Sequence, residues 1–183
     1  MPIVFRLGDS TMATETGEIG SLRDLFEYEL EEMYYVENEL VDALATMADE
    51  VTNENMRKGF VDHREETERH VERLERVFDA LGEEPQMRES EALSGLMADK
   101  QTFDSRVADD DLRNIHYLGA GMKVERMEIT GYQSLLTVAQ KLDLGDDVTD
   151  SLEANLDSEE DTLKELKAMS EGSELKSLLD RLL

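Results

Sequence analysis

The stretch LRDLFEYELEEMYYVENELVDALATMADEV, residues 22–51, decides the fold. Apolar residues recur at Leu22, Phe26, Leu30, Met33, Leu40, Leu44, Met47 and Val51. Steps of three and four residues place them on one face of a long amphipathic helix. Glu37 interrupts that line near its middle. A buried carboxylate costs several kcal/mol unless something offsets it. Either Glu37 lies at the rim of the face with its head in water, or the interior holds a compensating charge.

Three further segments read the same way. Residues 53–82 carry Met56, Phe60, His63, Thr67, Val71, Leu74, Phe78 and Leu81, with Glu66 and His70 on the flank of that face. Residues 110–142 carry Ile115, Leu118, Met122, Glu125, Ile129, Tyr132, Leu136 and Ala139, with Glu128 at the edge. Residues 146–172 carry Val148, Leu152, Leu156, Glu159, Leu163 and Leu166. Each stripe is apolar except for ionisable groups near its centre.

Punctuation fixes the order. Ser21 caps the first helix, with Asp24 at the capping-box position. About three residues separate it from the second helix, which Thr52 or Asn53 caps and Gly82 ends, so the two form an antiparallel hairpin. Residues 83–109 are polar, contain a short helical candidate at Glu91 to Phe103, and are long enough to cross a bundle. The third long helix starts near Asp110 or Asp111 and runs to Leu142, with Gly145 as its stop. Asp146 or Asp147 caps the fourth, which ends near Gly172. Hairpin, long crossover, hairpin is the connectivity of an all-α, ferritin-like four-helix bundle. The expected organisation is a flexible N-terminal tail over residues 1–20, the bundle over 21–172, and a short C-terminal helix over 173–183.

Composition narrows the function. The 183 residues contain no cysteine, so disulfides, thiolate metal sites and cysteine nucleophiles are excluded. Any metal must sit on oxygen and imidazole donors. There is no apolar run long enough to span a membrane and no basic-apolar leader at the start, so a cytoplasmic protein is expected. The formal charge is −26, from 45 acidic and 19 basic residues. Such a surface repels nucleic acid and anionic lipid, and neither is an expected partner. Only seven of the basic residues are lysine. Acid excess with scarce lysine fits a halophilic protein, whose self-repulsion is screened within about 3 Å at 1 M salt.

The ionisable interruptions agree in height. Glu37 lies about 15 residues before the first hairpin turn and Glu66 about 14 after it, at about 1.5 Å of rise per residue. Glu128 lies about 17 residues before the second turn and Glu159 about 14 after it, so the four fall within roughly a turn of one level. Carboxylates that close repel, and a metal pair removes the repulsion. The expected metal ligands are Glu37, His63, Glu66, Glu125, Glu128 and Glu159, holding a di-iron or manganese centre. His70 reads more as a surface residue than as a ligand, and the sequence leaves a ligand role for it open. Tyr34, Tyr35 and Tyr132 are expected to pack, or to stand beside the metals.

The segments LRDLFEYELEEMYYVENEL (22–40), FVDHREETERHVERLERVF (60–78), KVERMEITGYQSL (123–135) and LEANLDSEEDTLKEL (152–166) resemble the YciE/YciF family of ferritin-like proteins. HREET at 63–67, KVE-x-x-EI-x-GY at 123–132 and ESEALSGLM at 89–97 carry the resemblance most specifically. It implies a rubrerythrin-like bundle, commonly a homodimer, linked in bacteria to stress responses and described as a ferroxidase. The sequence departs from the usual Glu-x-x-His pattern of such sites. It has His63-x-x-Glu66 in reverse order, and Thr162 three residues after Glu159. The functional expectations are Fe(II) oxidation at a Glu/His site, removal of peroxide by a di-iron or di-manganese pair, or a non-enzymatic stress-related binding or structural role.

The halophile reading has a direct check. The melting temperature is expected to rise by at least ~5 °C from dilute buffer to molar KCl, at roughly 2–4 °C per kcal/mol for a chain of this size. Unchanged stability in dilute buffer would remove it.

Overall fold

A computed structural model describes residues 18–182. Every regular element among them is a helix. In order these are α1 (Leu22–Glu50), α2 (Glu54–Leu81), α3 (Glu91–Asp104), α4 (Asp110–Leu142), α5 (Asp146–Glu171) and α6 (Ser173–Leu182). Most of the expected N-terminal tail, residues 1–17, lies outside the described residues; residues 18–20 are exposed and not helical.

The helix starts follow from local hydrogen bonding. Ser21 Oγ accepts from the Asp24 amide at 3.1 Å, and Asp24 Oδ2 accepts from the Gly20 amide at 3.0 Å. These bonds satisfy amide donors that a helix start leaves without intrahelical partners. Asn53, Ser90 and Asp109 cap α2, α3 and α4 in the same way. Gly82 ends α2 in the left-handed conformation, at φ 77°. The α4–α5 turn departs from the sequence reading. Asp143, not Gly145, takes the left-handed position that ends α4, at φ 55°. Gly145 stands at the N-cap of α5 with φ 85° and offers no side chain, while Asp146 and Asp147 fall in the first turn. Asp tolerates the left-handed region better than most residues, which is why the stop comes two residues early.

The four long helices form the bundle. Helix α1 packs on α2 and α4, and α5 packs on α2 and α4, so α1 and α5 stand diagonally opposite. The crossover travels along α1. Near its start Arg88 Nε donates to the Tyr28 carbonyl, and Ser90 Oγ donates to Glu32. Near its end Lys100 bridges Glu50 and Asp104. It thereby passes from the Ser21 end of the bundle to the Glu50 end, where α4 begins. The Tyr117 hydroxyl on α4 shares its one proton between Glu50 Oε2 at 2.5 Å and Asp104 Oδ1 at 2.9 Å and closes that corner.

The core is divided into two apolar clusters. One contains Phe26, Leu30, Tyr34, Leu74, Phe78, Leu135, Ala139 and Leu152. The other contains Val36, Leu40, Leu44, Met47, Met56, Phe60, Leu93 and Leu118. Helix α1 passes close to α4 between Met33 and Gly131, where a Cβ on Gly131 would sit 2.5 Å from the Met33 sulfur. Between the two clusters lies a layer of buried ionisable groups.

Truncating a core side chain tests the packing. Leu74 is fully buried, and Leu74→Ala is expected to cost about 2–5 kcal/mol, read as a lower urea midpoint at unchanged slope.

Candidate metal centre

The buried layer takes one or two groups from each long helix. Helix α1 supplies Glu37, α2 supplies His70 and His63, α4 supplies Glu125 and Glu128, and α5 supplies Glu159. Glu37, His70, Glu125, Glu128 and Glu159 are all at most 2 % exposed, and the His63 side chain is 10 % exposed.

Two groups of three donors share one carboxylate. Donor atoms of Glu37, His70 and Glu159 lie within 4.8 Å of one another, and so do those of His63, Glu125 and Glu159. His70 Nδ1 is 2.8 Å from Glu159 Oε1 and 3.4 Å from Glu37 Oε2. His63 Nε2 is 3.3 Å from Glu125 Oε1. Glu128 belongs to neither group, yet it is buried on the same face of α4, one turn from Glu125.

A hydrogen-bonded chain holds one side of the layer. The Tyr132 hydroxyl donates to Glu37 Oε1. Asn155 Nδ2 donates to the Tyr132 hydroxyl at 2.9 Å and to the His70 carbonyl at 3.3 Å. Arg73 Nη1 donates to Asn155 Oδ1 at 3.0 Å, which fixes which way the amide points. Tyr132 thus occupies one oxygen of Glu37 and leaves Oε2 facing His70.

The rest of the layer is short of partners. Among the described residues, Glu37 Oε2, His63 Nδ1, both His70 nitrogens, Glu125 Oε2, and both carboxylate oxygens of Glu128 and Glu159 are buried without an aligned hydrogen bond. Buried polar atoms are nearly always bonded, so such a concentration in one layer calls for a ligand. Carboxylate oxygens and imidazoles with no thiolate suit iron or manganese. The residues present fit a pair of such ions.

Electrostatics say the same. Burial, reinforced by Glu159, Glu37 and Glu125, pushes Glu128 well above the usual carboxylate range. Burial likewise raises Glu37 and Glu159 against the pull of His70, and raises Glu125 to about 7. Burial opposes charge on His70, but Glu37 and Glu159 outweigh it and lift the imidazole to about 10. Burial lowers His63. Without metal, the layer relieves its repulsion by taking up protons.

The sequence reading and the structure part company at two residues of α2. Glu66 was expected among the ligands, but its side chain is 41 % exposed, pairs with Arg69 at 3.4 Å and accepts from Ser158 Oγ at 3.5 Å. It belongs to neither three-donor group. His70, which reads more as a surface residue in the sequence, is fully buried at the centre. The signal was available: His63 and His70 are seven residues apart and share one helix face, whereas Glu66 stands about 60° round from it. The role of Asn155 was missed. Its place on the apolar line of α5, one turn before Glu159, marks it as an inward polar group. His116 stacks on Phe103 with ring centroids 3.7 Å apart and takes no part.

The match to known proteins extends over nearly the whole bundle. The model of the family described as "Domain of unknown function (DUF892)" matches residues 21–178. The chain belongs to this family. It is 29 % identical over 123 residues to Protein YciF of Escherichia coli (strain K12), covering 67 % of this chain and 74 % of that protein. The crystal structure of the E. coli stress protein YciF superposes with a TM-score of 0.78 at 26 % identity, over 83 % of this chain and 96 % of that one. YcfI from Rhodopseudomonas palustris gives 0.80 at 30 % identity with the same coverage. A protein from Xanthomonas campestris, 19 % identical, shares the fold with a TM-score of 0.69. Among the described residues of this DUF892 chain, no helix is long and apolar enough to cross a membrane.

Proton linkage gives a prediction for the metal-free protein. An acid whose folded value is raised binds more protons folded than unfolded, so stability falls as pH rises from its ordinary value to its raised one. For Glu125 that window runs from 4.5 to about 7. His70 adds stability that is complete below 6.5 and is lost as pH rises through about 10. His63, lowered, works in the opposite sense below 6.5, but one group stands against five. Metal-free protein is expected to lose stability between pH 5 and 8, read from urea midpoints. At pH 8, Glu128→Leu is expected to stabilise it by about 1–4 kcal/mol, because an apolar side chain replaces a buried, unpartnered acid. A midpoint that rises with pH, or a destabilised Glu128→Leu, would contradict this electrostatic account.

Proposed function

We propose that this chain is a ferritin-like two-metal oxidoreductase that oxidises Fe(II), with iron or manganese as the metal it holds. The carrying observation is that two groups of three donors, on four helices, meet at the fully buried Glu159. Glu37, His70 and Glu159 would hold one ion, and His63, Glu125 and Glu159 the other. Glu128 is the further carboxylate within the layer. When bound, such ions would supply one-electron redox capacity. With ferrous iron as substrate, two Fe(II) give up one electron each. Hydrogen peroxide takes both electrons with two protons, its O–O bond breaks, and two waters result.

The chain's own residues do the rest. Glu159 supplies a carboxylate to both groups and sets their separation. Tyr132 holds Glu37 by one oxygen so that the other stays available. Arg73 and Asn155 keep Tyr132 in place. The apolar cluster around Phe26, Leu74 and Leu152 closes one side of the layer to bulk water, which strengthens the charge interactions there. The burial that raises the carboxyl groups also lets them take up or release protons as the charge on iron changes.

The names of the similar proteins are coarser than this reading: the E. coli one is called a stress protein and the R. palustris one "a putative structural protein".

Metal content and oxidation rate are to be measured together. Protein loaded anaerobically is expected to hold two ions per chain. With peroxide or air it should then oxidise Fe(II) well above the buffer rate. Glu159→Ala is expected to lose both ions and the activity. Tyr132→Phe is expected to weaken metal binding about 10–100-fold, the usual effect of removing a partner of a ligand. Glu66→Ala should keep its metal. Oxidation at the buffer rate by fully loaded protein would defeat the enzymatic reading. Faster peroxide loss from manganese-loaded than from iron-loaded protein would move the function to peroxide removal.

A further inference from the structure

Arg73 on α2 directs its guanidinium at a neutral group. Arg23, Arg64, Arg69, Arg88 and Arg113 all pair with carboxylates. Arg73 Nη1 instead donates to Asn155 Oδ1 at 3.0 Å, in a chain with 45 acidic residues.

That contact begins a one-way series of hydrogen bonds. A guanidinium only donates, so Asn155 presents its oxygen to Arg73. The other end of the amide is fixed independently. The His70 carbonyl, which only accepts, lies 3.3 Å from Asn155 Nδ2. Asn155 Nδ2 also donates to the Tyr132 hydroxyl at 2.9 Å. The hydroxyl, accepting there, turns its single proton to Glu37 Oε1. Asn155 and Tyr132 are fully buried, so bulk water does not compete with any of these bonds. The series therefore holds Glu37 Oε1 as an acceptor and leaves Oε2 for a cation.

This support reaches one of the two donor groups. Glu37 belongs with His70 and Glu159. In the other group, His63 Nδ1 and Glu125 Oε2 are buried without a hydrogen bond. Glu159 is common to both groups and Glu128 belongs to neither, so they do not separate the two. The nitrogens of His70 are also without an aligned bond, and the difference rests on Glu37. Exposure separates the groups in the same sense. Glu37 and His70 are 0 % exposed, whereas the His63 side chain is 10 % exposed. A partner that orients a metal ligand is worth about 10–100-fold in metal affinity.

We propose that Arg73, acting through Asn155 and Tyr132 on Glu37, makes the two metal positions unequal: Glu37, His70 and Glu159 retain their ion, and His63, Glu125 and Glu159 exchange theirs. Arg73, Asn155 and Tyr132 are positioning residues. The inference rests on the two-metal reading and adds to it which position fills first and which one turns over.

The experiment is Mn(II) titration of the full, metal-free chain, with free Mn(II) read by electron paramagnetic resonance. Each position is isolated by removing the imidazole of the other. His63→Leu leaves the Glu37 group, and His70→Leu leaves the His63 group. His63→Leu protein is expected to bind its ion at least about ten-fold more tightly than His70→Leu protein. Tyr132→Phe is expected to weaken that ion by about 10–100-fold in the His63→Leu chain and to leave the His70→Leu chain unchanged. A general loss of packing would weaken both. Arg73→Ala should act like Tyr132→Phe, and Arg73→Lys, which keeps a head that only donates, should restore binding. If His70→Leu does not fold, wild-type crystals exposed to sub-stoichiometric Mn(II) decide instead. One anomalous peak beside Glu37 and His70 is then expected, and a peak beside His63 and Glu125, or two equal peaks, would overturn the proposal. Wild-type protein that binds two ions, with equal affinities in the two single-site chains or equal losses from Tyr132→Phe in both, would defeat this inference alone. Wild-type protein that binds no stoichiometric metal would defeat the two-metal reading together with it.

Discussion

Charge buried between two apolar clusters is the constraint on which the rest of this structure depends. Glu37, Glu125, Glu128 and Glu159 stand in one layer with His70 and His63, where none has enough protein partners to offset its desolvation. A bundle built for stability alone would carry leucine at these positions. Two imidazoles cannot neutralise four carboxylates, and the hydrogen bond from Tyr132 satisfies only one oxygen. The imbalance is one that divalent cations correct and that an apolar core does not need.

The fold positions that imbalance with ordinary means. Capped helix starts at Ser21, Asn53 and Asp109 fix where each long helix begins. The crossover along α1 then brings the second hairpin in with α4 antiparallel to α1. That arrangement puts the centre of each long helix at one height. The cost of gathering like charges is met by the apolar packing on both sides, from Phe26 and Leu152 in one cluster to Leu40 and Leu118 in the other.

Most of this was legible in the sequence because helical periodicity is a strong signal over 25 or more residues, and an acid inside an apolar stripe stands out. The helix order, the crossover and five of the six expected ligand positions sit in or at the edge of the buried layer. The misplacements are at the scale of one helix turn. Glu66 and His70 share α2 with His63, and steps of three and four admit Glu66, whereas the seven-residue spacing of His63 and His70 marks the buried face. The turn after α4 was misread because Asp143 and Gly145 can both take the left-handed position that ends a helix. Asn155 could be found only by asking what a polar amide does on an apolar line.

Anomalous X-ray scattering from crystals grown with manganese or ferrous iron tests the central claim most directly. Two peaks are expected in the bundle interior, one beside Glu37 and His70 and the other beside His63 and Glu125, with Glu159 contacting both. An interior without anomalous density, at metal concentrations that fill acidic sites on the surface, would contradict the account.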